Sequence, residues 1–329
     1  MRFAALASAA AAIAALASTP AQAIEDETAP VPQRAAIEEF QRIDQKLQDV
    51  GWALVRGNAE FCANSAPAIG LQLHDVASYG TPAEVRSALG LSGDFAVQTA
   101  ARGSPAAMSG AFTPNREIVI VGAETPANWE SDGASDWRRL ARLHDYVDEV
   151  LAEQGGIAIG LANGSTVALT AVPACATRFE LNPSGSRAVA EGKRVVIGSE
   201  FEGFDYPEEL LAAVVAHELA HNLLAHRAWL DRNKRTRSNI KVTEREADRL
   251  MPWLLVNAGY DLRAALRFFE RYQPSSGGLL FIPGTHDKWQ DRMDRVAKEL
   301  PRIEAIRRED GKADWRTHFK RQIDPQKGL

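Results

Sequence analysis

Apolar residues follow different patterns in different parts of this 329-residue chain. Residues 33–60 carry apolar side chains at helical spacing, which predicts an amphipathic helix. From about Gly80 the pattern changes to short apolar runs separated by glycine-rich turns. Strands are predicted there at Glu117–Gly122 and Val167–Val172, with a helix between them over Ser135–Glu153.

A second helical region begins near Pro207 and is apolar over most of its surface. Its apolar residues are Leu210, Leu211, Val214, Val215, Leu219, Leu223 and Leu224. Within it stands an HExxH motif formed by His217, Glu218 and His221. Residues four apart lie on one face of a helix, so both imidazoles can reach one zinc ion. Glu218 is then placed to act as general base on a metal-bound water.

A third zinc ligand is expected on the next helix, which starts near Thr243. Glu244 and Asp248 share a face there, and Glu246 points away from it. We assign Glu244 to the metal and Asp248 to the orientation of a ligating histidine. The alternatives are an acid stabilised by the helix dipole for Glu244 and a surface charge for Asp248. The metzincin pattern HExxHxxGxxH fails, because Leu224 and Arg227 stand where it needs glycine and histidine.

Four stretches then follow in order: AAVVAHELAHNLLAH, EREADRL, NAGYDLRAALRFFERY and GTHDKWQDRM. They resemble the HtpX-like and CAAX-prenyl-protease family of zinc gluzincins over about residues 193–300. The resemblance implies a mainly helical zincin peptidase domain with a small edge sheet. It also implies one zinc ion per chain on His217, His221 and Glu244. The chain departs from the family's THP at Thr285-His286-Asp287, and it lacks the transmembrane helices of the membrane-embedded members.

The late segment contributes two further candidate catalytic residues, His286 and Arg292. A loop rich in Gly, Pro and Ser, from Pro274 to Gly284, precedes them and could fold over a cleft. His286 is interpreted as a cap on the open zinc position or as a group that polarises the scissile carbonyl, with a surface histidine as the alternative. Arg292 is interpreted as an oxyanion-stabilising group or as one half of a salt bridge. His226 is left out of the site, because a continuous helix would put it roughly opposite His217.

The β-rich stretch resembles a divergent PDZ domain over about residues 80–174. The resemblance rests on Phe95–Gly110, which is similar to the family's V…GSPAxxAG turn. It implies a peptide groove near Leu89-Gly90-Leu91, where an extended peptide would add to a sheet edge. The run Arg194–Ser199 reads as a strand, and we predict it to be an edge strand that holds substrate.

The first 23 residues have the features of a secretory signal peptide. Arg2 is followed by an apolar run from Ala4 to Ala17 that is too short for a membrane span, and an A-x-A site ends at Ala23. Export to a bacterial periplasm is predicted, with secretion as the alternative. An oxidising compartment favours a disulfide between Cys62 and Cys175, although two free thiols remain possible.

Composition agrees with a globular enzyme and excludes some partners. The chain is 45% hydrophobic and 25% charged, with a net charge of −5, so nucleic acid is a poor candidate. The basic stretch from Arg227 to Lys241 is predicted to be a mobile solvated loop, with a contact to anionic lipid or substrate as the alternative. We expect an α+β protein with five segments: signal peptide 1–23, helical segment 24–79, PDZ-like domain 80–174, metallopeptidase domain 175–309 and polar tail 310–329.

The predicted function is zinc-dependent endopeptidase activity on unfolded or misassembled proteins of the cell envelope. The alternative is a periplasmic chaperone or binding protein whose zinc site is latent or structural. No transmembrane segment is predicted in the mature chain.

Overall fold

The computed structural model describes residues 31–271 and 287–324. Long helices and small sheets make up this part of the chain, so the fold is α+β, as predicted. The predicted signal peptide (1–23), the loop Pro274–Gly284 and His286 lie outside the described residues.

The helices of the described residues are α1 (Val31–Gly57), α2 (Pro82–Leu89), α3 (Pro105–Met108), α4 (Arg138–Gln154), α5 (Glu208–Leu223), α6 (His226–Asn233), α7 (Arg237–Asn257), α8 (Ala264–Arg271), α9 (Trp289–Asp310) and α10 (Trp315–His318). The strands are β1 (Ser65–Ala68), β2 (Leu71–Asp75), β3 (Phe95–Ala100), β4 (Ile118–Val121), β5 (Gly156–Leu161), β6 (Thr166–Thr170), β7 (Val172–Cys175), β8 (Arg178–Asn182), β9 (Ala188–Ala190) and β10 (Arg194–Gly198). They form small sheets of order β1-β7, β2-β3, β4-β5-β6 and β8-β10-β9.

Helix α1 has the amphipathic pattern that the sequence predicted. Leu47, Val50 and Leu54 recur at helical spacing, and all three are fully buried in the larger hydrophobic core. The helix ends at Gly57, where a side chain would collide with the backbone of Asn257 at the end of α7. A glycine at this position therefore lets the ends of α1 and α7 approach each other closely.

The larger core surrounds α5. Every residue of α5 from Leu210 to Ala220 is buried, and α7, α8 and α1 pack around it. A helix that is apolar on nearly all sides belongs inside a protein, and the ionisable side chains of α5 lie in its first turn and its last turns. This placement puts the HExxH motif at the edge of the core, with rigid helices on either side.

A second, smaller core fills the β-rich part, where α4 packs on β2 and β5. It begins earlier than the predicted boundary at residue 80, because Ile69 and Leu73 belong to it. The second half of the predicted helical segment 24–79 accordingly forms β1 and β2. Strand β2 pairs with β3 in antiparallel register from Leu71↔Ala100 to Asp75↔Phe95.

The sheet β8-β10-β9 packs beside α5 and differs from the prediction. Strand β10 corresponds to the run expected at an edge, but it is the central strand, parallel to β8 and antiparallel to β9. Both flanking strands come from the segment just before it, which carried no clear strand pattern of its own. The edge strand on the α5 side is therefore β9.

The predicted basic loop and the predicted polar tail are both packed against the rest of the protein. The basic stretch from Arg227 to Lys241 is mostly helix, in α6 and the first turns of α7, and it buries Trp229 and Leu230. The predicted polar tail buries Trp315, Phe319 and Ile323 in the described part of the chain. Aromatic and aliphatic side chains outweigh the polar composition of both segments.

Cys62 and Cys175 form a disulfide, as predicted, with Cα atoms 5.5 Å apart. It links the segment after α1 to the end of β7, next to the short sheet in which Ser65 faces Cys175. None of the helices in the described ranges is both long enough and apolar enough to cross a membrane.

Candidate metal centre

The HExxH histidines and Glu244 meet at one point between α5 and α7. The Nε2 atoms of His217 and His221 are 3.2 Å apart. The carboxylate of Glu244 lies 3.2 Å from His217 Nε2 and 3.5 Å from His221 Nε2. Donor atoms about 2.0–2.1 Å from a tetrahedral zinc ion would be separated by about 3.4 Å. The three side chains therefore have the spacing of a two-histidine, one-carboxylate metal site. Among the described residues, no other cluster of His, Cys, Asp and Glu side chains has such a spacing.

The three donors differ in their contact with solvent. The His217 side chain is 5% exposed, whereas those of His221 and Glu244 are 13% and 15% exposed. One side of the cluster is thus closed by the core, and the other side is reached from outside. Access of this kind is what a site needs if substrate is to approach the metal.

Opposite charges face each other within the cluster and shift the pKa values of its members. Burial alone would lower the pKa of His217, but the carboxylates of Asp248 and Glu244 outweigh it and raise this pKa to about 10. Burial would likewise raise the pKa of Glu244, and the two histidines hold it well below its usual value. The site therefore attracts positive charge, whether a proton or a metal cation.

Asp248 lies next to the Nδ1 side of His217. One carboxylate oxygen lies 3.2 Å from His217 Nδ1, although the contact is out of line for a good hydrogen bond. Asp248 is 1% exposed, and burial would raise its pKa, but the facing Arg292 lowers this pKa to about 2. The carboxylate is therefore ionised next to His217, a candidate metal ligand.

Arg292 forms a buried salt bridge with Asp248, which is one of the two roles considered for it. Its Nε and Nη2 atoms donate to the two oxygens of Asp248 at 2.7 Å and 2.5 Å, and the guanidinium stacks on Phe269. The Arg292 side chain is 3% exposed. Helix α9 thus brings Arg292 to Asp248 of α7 in a bidentate ion pair.

His226 belongs to the site, contrary to the sequence interpretation. Its Nδ1 lies 3.0 Å from Nδ1 of His221, and its Nε2 lies 3.1 Å from Glu246. The helical projection failed because α5 ends at Leu223 and Ala225 adopts a left-handed conformation with φ of 54°. The chain turns back there, and the first residue of α6 returns to the metal ligand. The sequence offered only one sign of this contact: a small residue, Ala225, followed by a histidine, His226, soon after the HExxH motif.

Glu246 is not part of the three-residue cluster and contacts other residues instead. It is fully buried and accepts hydrogen bonds from His226, from Arg321 and from the backbone N–H groups of Gln322 and Ile323. Burial would raise its pKa, and these partners lower it to about 2. Glu246 therefore connects the C-terminal segment to the histidine that faces His221.

Glu218 lies beside the metal ligands on α5 and is 7% exposed. Within the described ranges it forms no hydrogen bond or ion pair with another side chain. Asn222, four residues further along α5, fixes the β9–β10 turn by accepting from the N–H of Gly192 and donating to the carbonyl of Arg194. The residue after His221 thus positions the sheet whose β9 edge lies nearest to α5.

A cleft of about 880 Å³ separates α4 from the segment 64–72 and from the start of β8. Ile69, Gly70 and Leu71 line it on one side and His144 and Leu151 on the other. Leu89, Gly90 and Leu91, near which a peptide groove was expected, do not line this cleft. Those residues end α2, where Leu89 packs against Ile37 of α1 and Gly90 adopts a left-handed conformation that terminates the helix.

Comparison of the chain with protein-family models, with curated proteins and with solved structures finds no match in any of the three.

Proposed function

We propose that the protein is a zinc-dependent endopeptidase of the bacterial cell envelope. The observation that carries the proposal is the spacing of the donor atoms of His217, His221 and Glu244, which fits one tetrahedral ion. Two imidazoles and one carboxylate suit zinc and leave a coordination position open. The resemblance to HtpX-like gluzincins and the adjacent Glu218 favour peptide hydrolysis over a purely structural metal.

Each residue then has a distinct part in the chemistry. Zinc held by the three side chains would supply an activated water and would polarise the carbonyl of the scissile bond. Glu218 accepts the proton of the attacking water and passes it to the leaving amine. Asp248 holds His217 in the orientation that presents Nε2 to the metal, and Arg292 keeps Asp248 ionised and fixed.

Unfolded or misassembled polypeptide is the proposed substrate. The edge strand β9 can add an extended chain by backbone hydrogen bonding, in place of the β10 edge first expected. In the β-rich part, the order β3, α3, β4, α4, β5, β6 supports the PDZ-like interpretation. The cleft between β2 and α4 is then the candidate recruitment groove. The disulfide is compatible with an exported protein.

The proposal is tested with Glu218→Gln, which keeps the size of the side chain and removes the base. We expect a folded protein with normal zinc content and a rate of cleavage of unfolded, fluorophore-labelled casein lower by at least about 100-fold. Glu208→Gln, at the exposed start of the same helix, is the matched control and should cleave at the wild-type rate. Wild-type cleavage by Glu218→Gln would exclude the mechanism.

Metal analysis of Glu244→Ala completes this test. The variant keeps two protein ligands, so we expect its zinc affinity to fall by at least about 100-fold. Undiminished zinc in both Glu244→Ala and His221→Ala would show that the metal is not bound here.

A chaperone or peptide-binding protein with a latent zinc site is the second candidate. The large cleft beside α4 favours it, because this space lies apart from the metal cluster and could bind clients without hydrolysis. Suppression of aggregation of an unfolded client by zinc-loaded wild type, with turnover no higher than that of Glu218→Gln, would support this second function.

A further inference from the structure

A chain of contacts leads from the metal ligand His221 to the C-terminal segment. His221 directs Nε2 towards His217 and Glu244, and its Nδ1 faces Nδ1 of His226 at 3.0 Å. The Nε2 of His226 lies 3.1 Å from Glu246. His226 and Glu246 are 1% and 0% exposed, so water does not compete for these contacts.

The chemistry of a metal site allows one arrangement of protons along this chain. A neutral His221 that presents Nε2 to a metal carries its proton on Nδ1. The N–H at Nδ1 of His221 can donate a hydrogen bond to His226 only if Nδ1 of His226 is unprotonated and offers its lone pair. The proton of His226 is then on Nε2, where it donates to the carboxylate of Glu246. Each contact thereby has one donor and one acceptor.

We propose that His226 is a positioning residue for the metal ligand His221, held in one tautomer by Glu246. Hydrogen bonds to the second ring nitrogen of a ligating histidine fix its orientation and increase its basicity. This inference rests on the proposed zinc site and adds a residue that the HExxH motif does not contain.

The C-terminal segment is part of the same chain of contacts. Glu246 also accepts from Arg321 and from the backbone N–H groups of Gln322 and Ile323, and Ile323 packs on Trp229 and Leu230 of α6. Docking of residues 321–323 therefore fixes both the carboxylate and the helix that starts at His226. The end of the chain contributes to the geometry of the metal site through Glu246.

The test compares His226→Leu, which removes both hydrogen bonds, with His226→Gln, whose amide can accept from His221 and donate to Glu246. His74→Leu is the control, since it also replaces a buried histidine but lies on β2, away from the metal cluster. Zinc affinity is measured by competition with a chromophoric chelator. The visible spectrum of the cobalt-substituted protein reports the ligand geometry independently of activity.

We expect His226→Leu to bind zinc about 10–100-fold more weakly than wild type and to shift the cobalt spectrum. His226→Gln should recover most of the affinity, and His74→Leu should leave affinity and spectrum unchanged. Wild-type affinity and spectrum in His226→Leu would overturn the inference and leave the proposed function standing. Failure of wild type to bind zinc stoichiometrically would instead overturn the proposed function, and this inference with it.

A measurement on the wild-type protein covers the case in which His226→Leu does not fold. In the zinc-loaded protein with ¹⁵N-labelled histidine, the ring-nitrogen shifts of His226 should show a protonated Nε2 and an unprotonated, hydrogen-bonded Nδ1. A proton on Nδ1 of His226 would contradict the proposed contact with His221.

Discussion

The side chains around the metal cluster should differ greatly in how much the free energy of unfolding falls when each is replaced. Arg292 and Asp248 form a buried pair in which neither side chain is more than 4% exposed. Two buried opposite charges stabilise a fold only modestly relative to apolar residues, but an unpaired buried charge is costly. The pair therefore matters mainly through what happens when one member is lost.

We predict that Arg292→Met lowers the free energy of unfolding of the metal-free protein by about 3–5 kcal/mol, because Asp248 is left charged and buried. Urea unfolding followed by circular dichroism measures this change. Arg263→Met is the control, since the salt bridge of Arg263 with Glu304 is exposed and such pairs contribute about 1 kcal/mol or less. Equal losses in the two variants would contradict the assignment of Arg292 as the partner that Asp248 requires.

Helix α1 and strand β3 meet through a buried polar contact. Asp44 of α1 accepts hydrogen bonds from Gln48 and from Gln98 of β3, each at 2.9 Å, and it is 6% exposed. Burial raises the pKa of Asp44 to about 6, although the two amides oppose the change. No cation among the described residues is paired with this carboxylate, which explains why burial prevails.

The direction of the pKa shift gives a pH dependence. Because the folded pKa of Asp44 lies above its ordinary value of 3.8, the folded protein binds more protons between about pH 4 and pH 6. The contribution of Asp44 to stability therefore falls as pH rises through that window, and it stays low above it. Asp44→Asn keeps an acceptor oxygen and removes the charge.

We predict that Asp44→Asn is more stable than wild type at pH 7.5, by up to about 3 kcal/mol, and that the difference shrinks towards pH 4. Urea unfolding of both proteins at pH 4.5 and 7.5 tests it, because other titrating groups cancel in the comparison. If the two proteins differ in unfolding free energy by the same amount at both pH values, ionisation of Asp44 does not destabilise the folded protein.

At the scale of the whole molecule, the disulfide closes a loop that contains nearly all of the β-rich part. Cys62 and Cys175 are 113 residues apart, and both are buried. In the chain-entropy treatment, a cross-link over about 100 residues stabilises a fold by up to about 4–5 kcal/mol, chiefly by restricting the unfolded chain.

We predict that the double variant Cys62→Ala/Cys175→Ala loses about 2–5 kcal/mol of unfolding free energy. Urea unfolding under non-reducing conditions measures the loss, and wild type treated with a reductant should approach the same value. Zinc affinity of the folded variant should not change, since the disulfide contacts none of the metal-site residues. An unfolding midpoint equal to that of oxidised wild type would exclude a stabilising role.

The sequence by itself determined the features that depend on local geometry. His217 and His221 share a face because any helix places residues four apart on one side, and Glu244 and Asp248 do so for the same reason. The apolar surface around the motif required that this helix be buried. Only two cysteines were available, so an oxidising compartment made their pairing the natural expectation, and the structure confirms it.

Tertiary structure alone decided the features that depend on where the chain goes after an element ends. One left-handed residue, Ala225, turns α6 back and brings His226 to His221, and helical periodicity does not extend across such a turn. Arg292 reaches Asp248 from a helix 44 residues away, so its role depended on a partner that spacing could not reveal. Strand β10 was predicted to be an edge strand, but in the structure β9 is at the edge. Strand order is set by long-range hydrogen bonding and not by the composition of one strand.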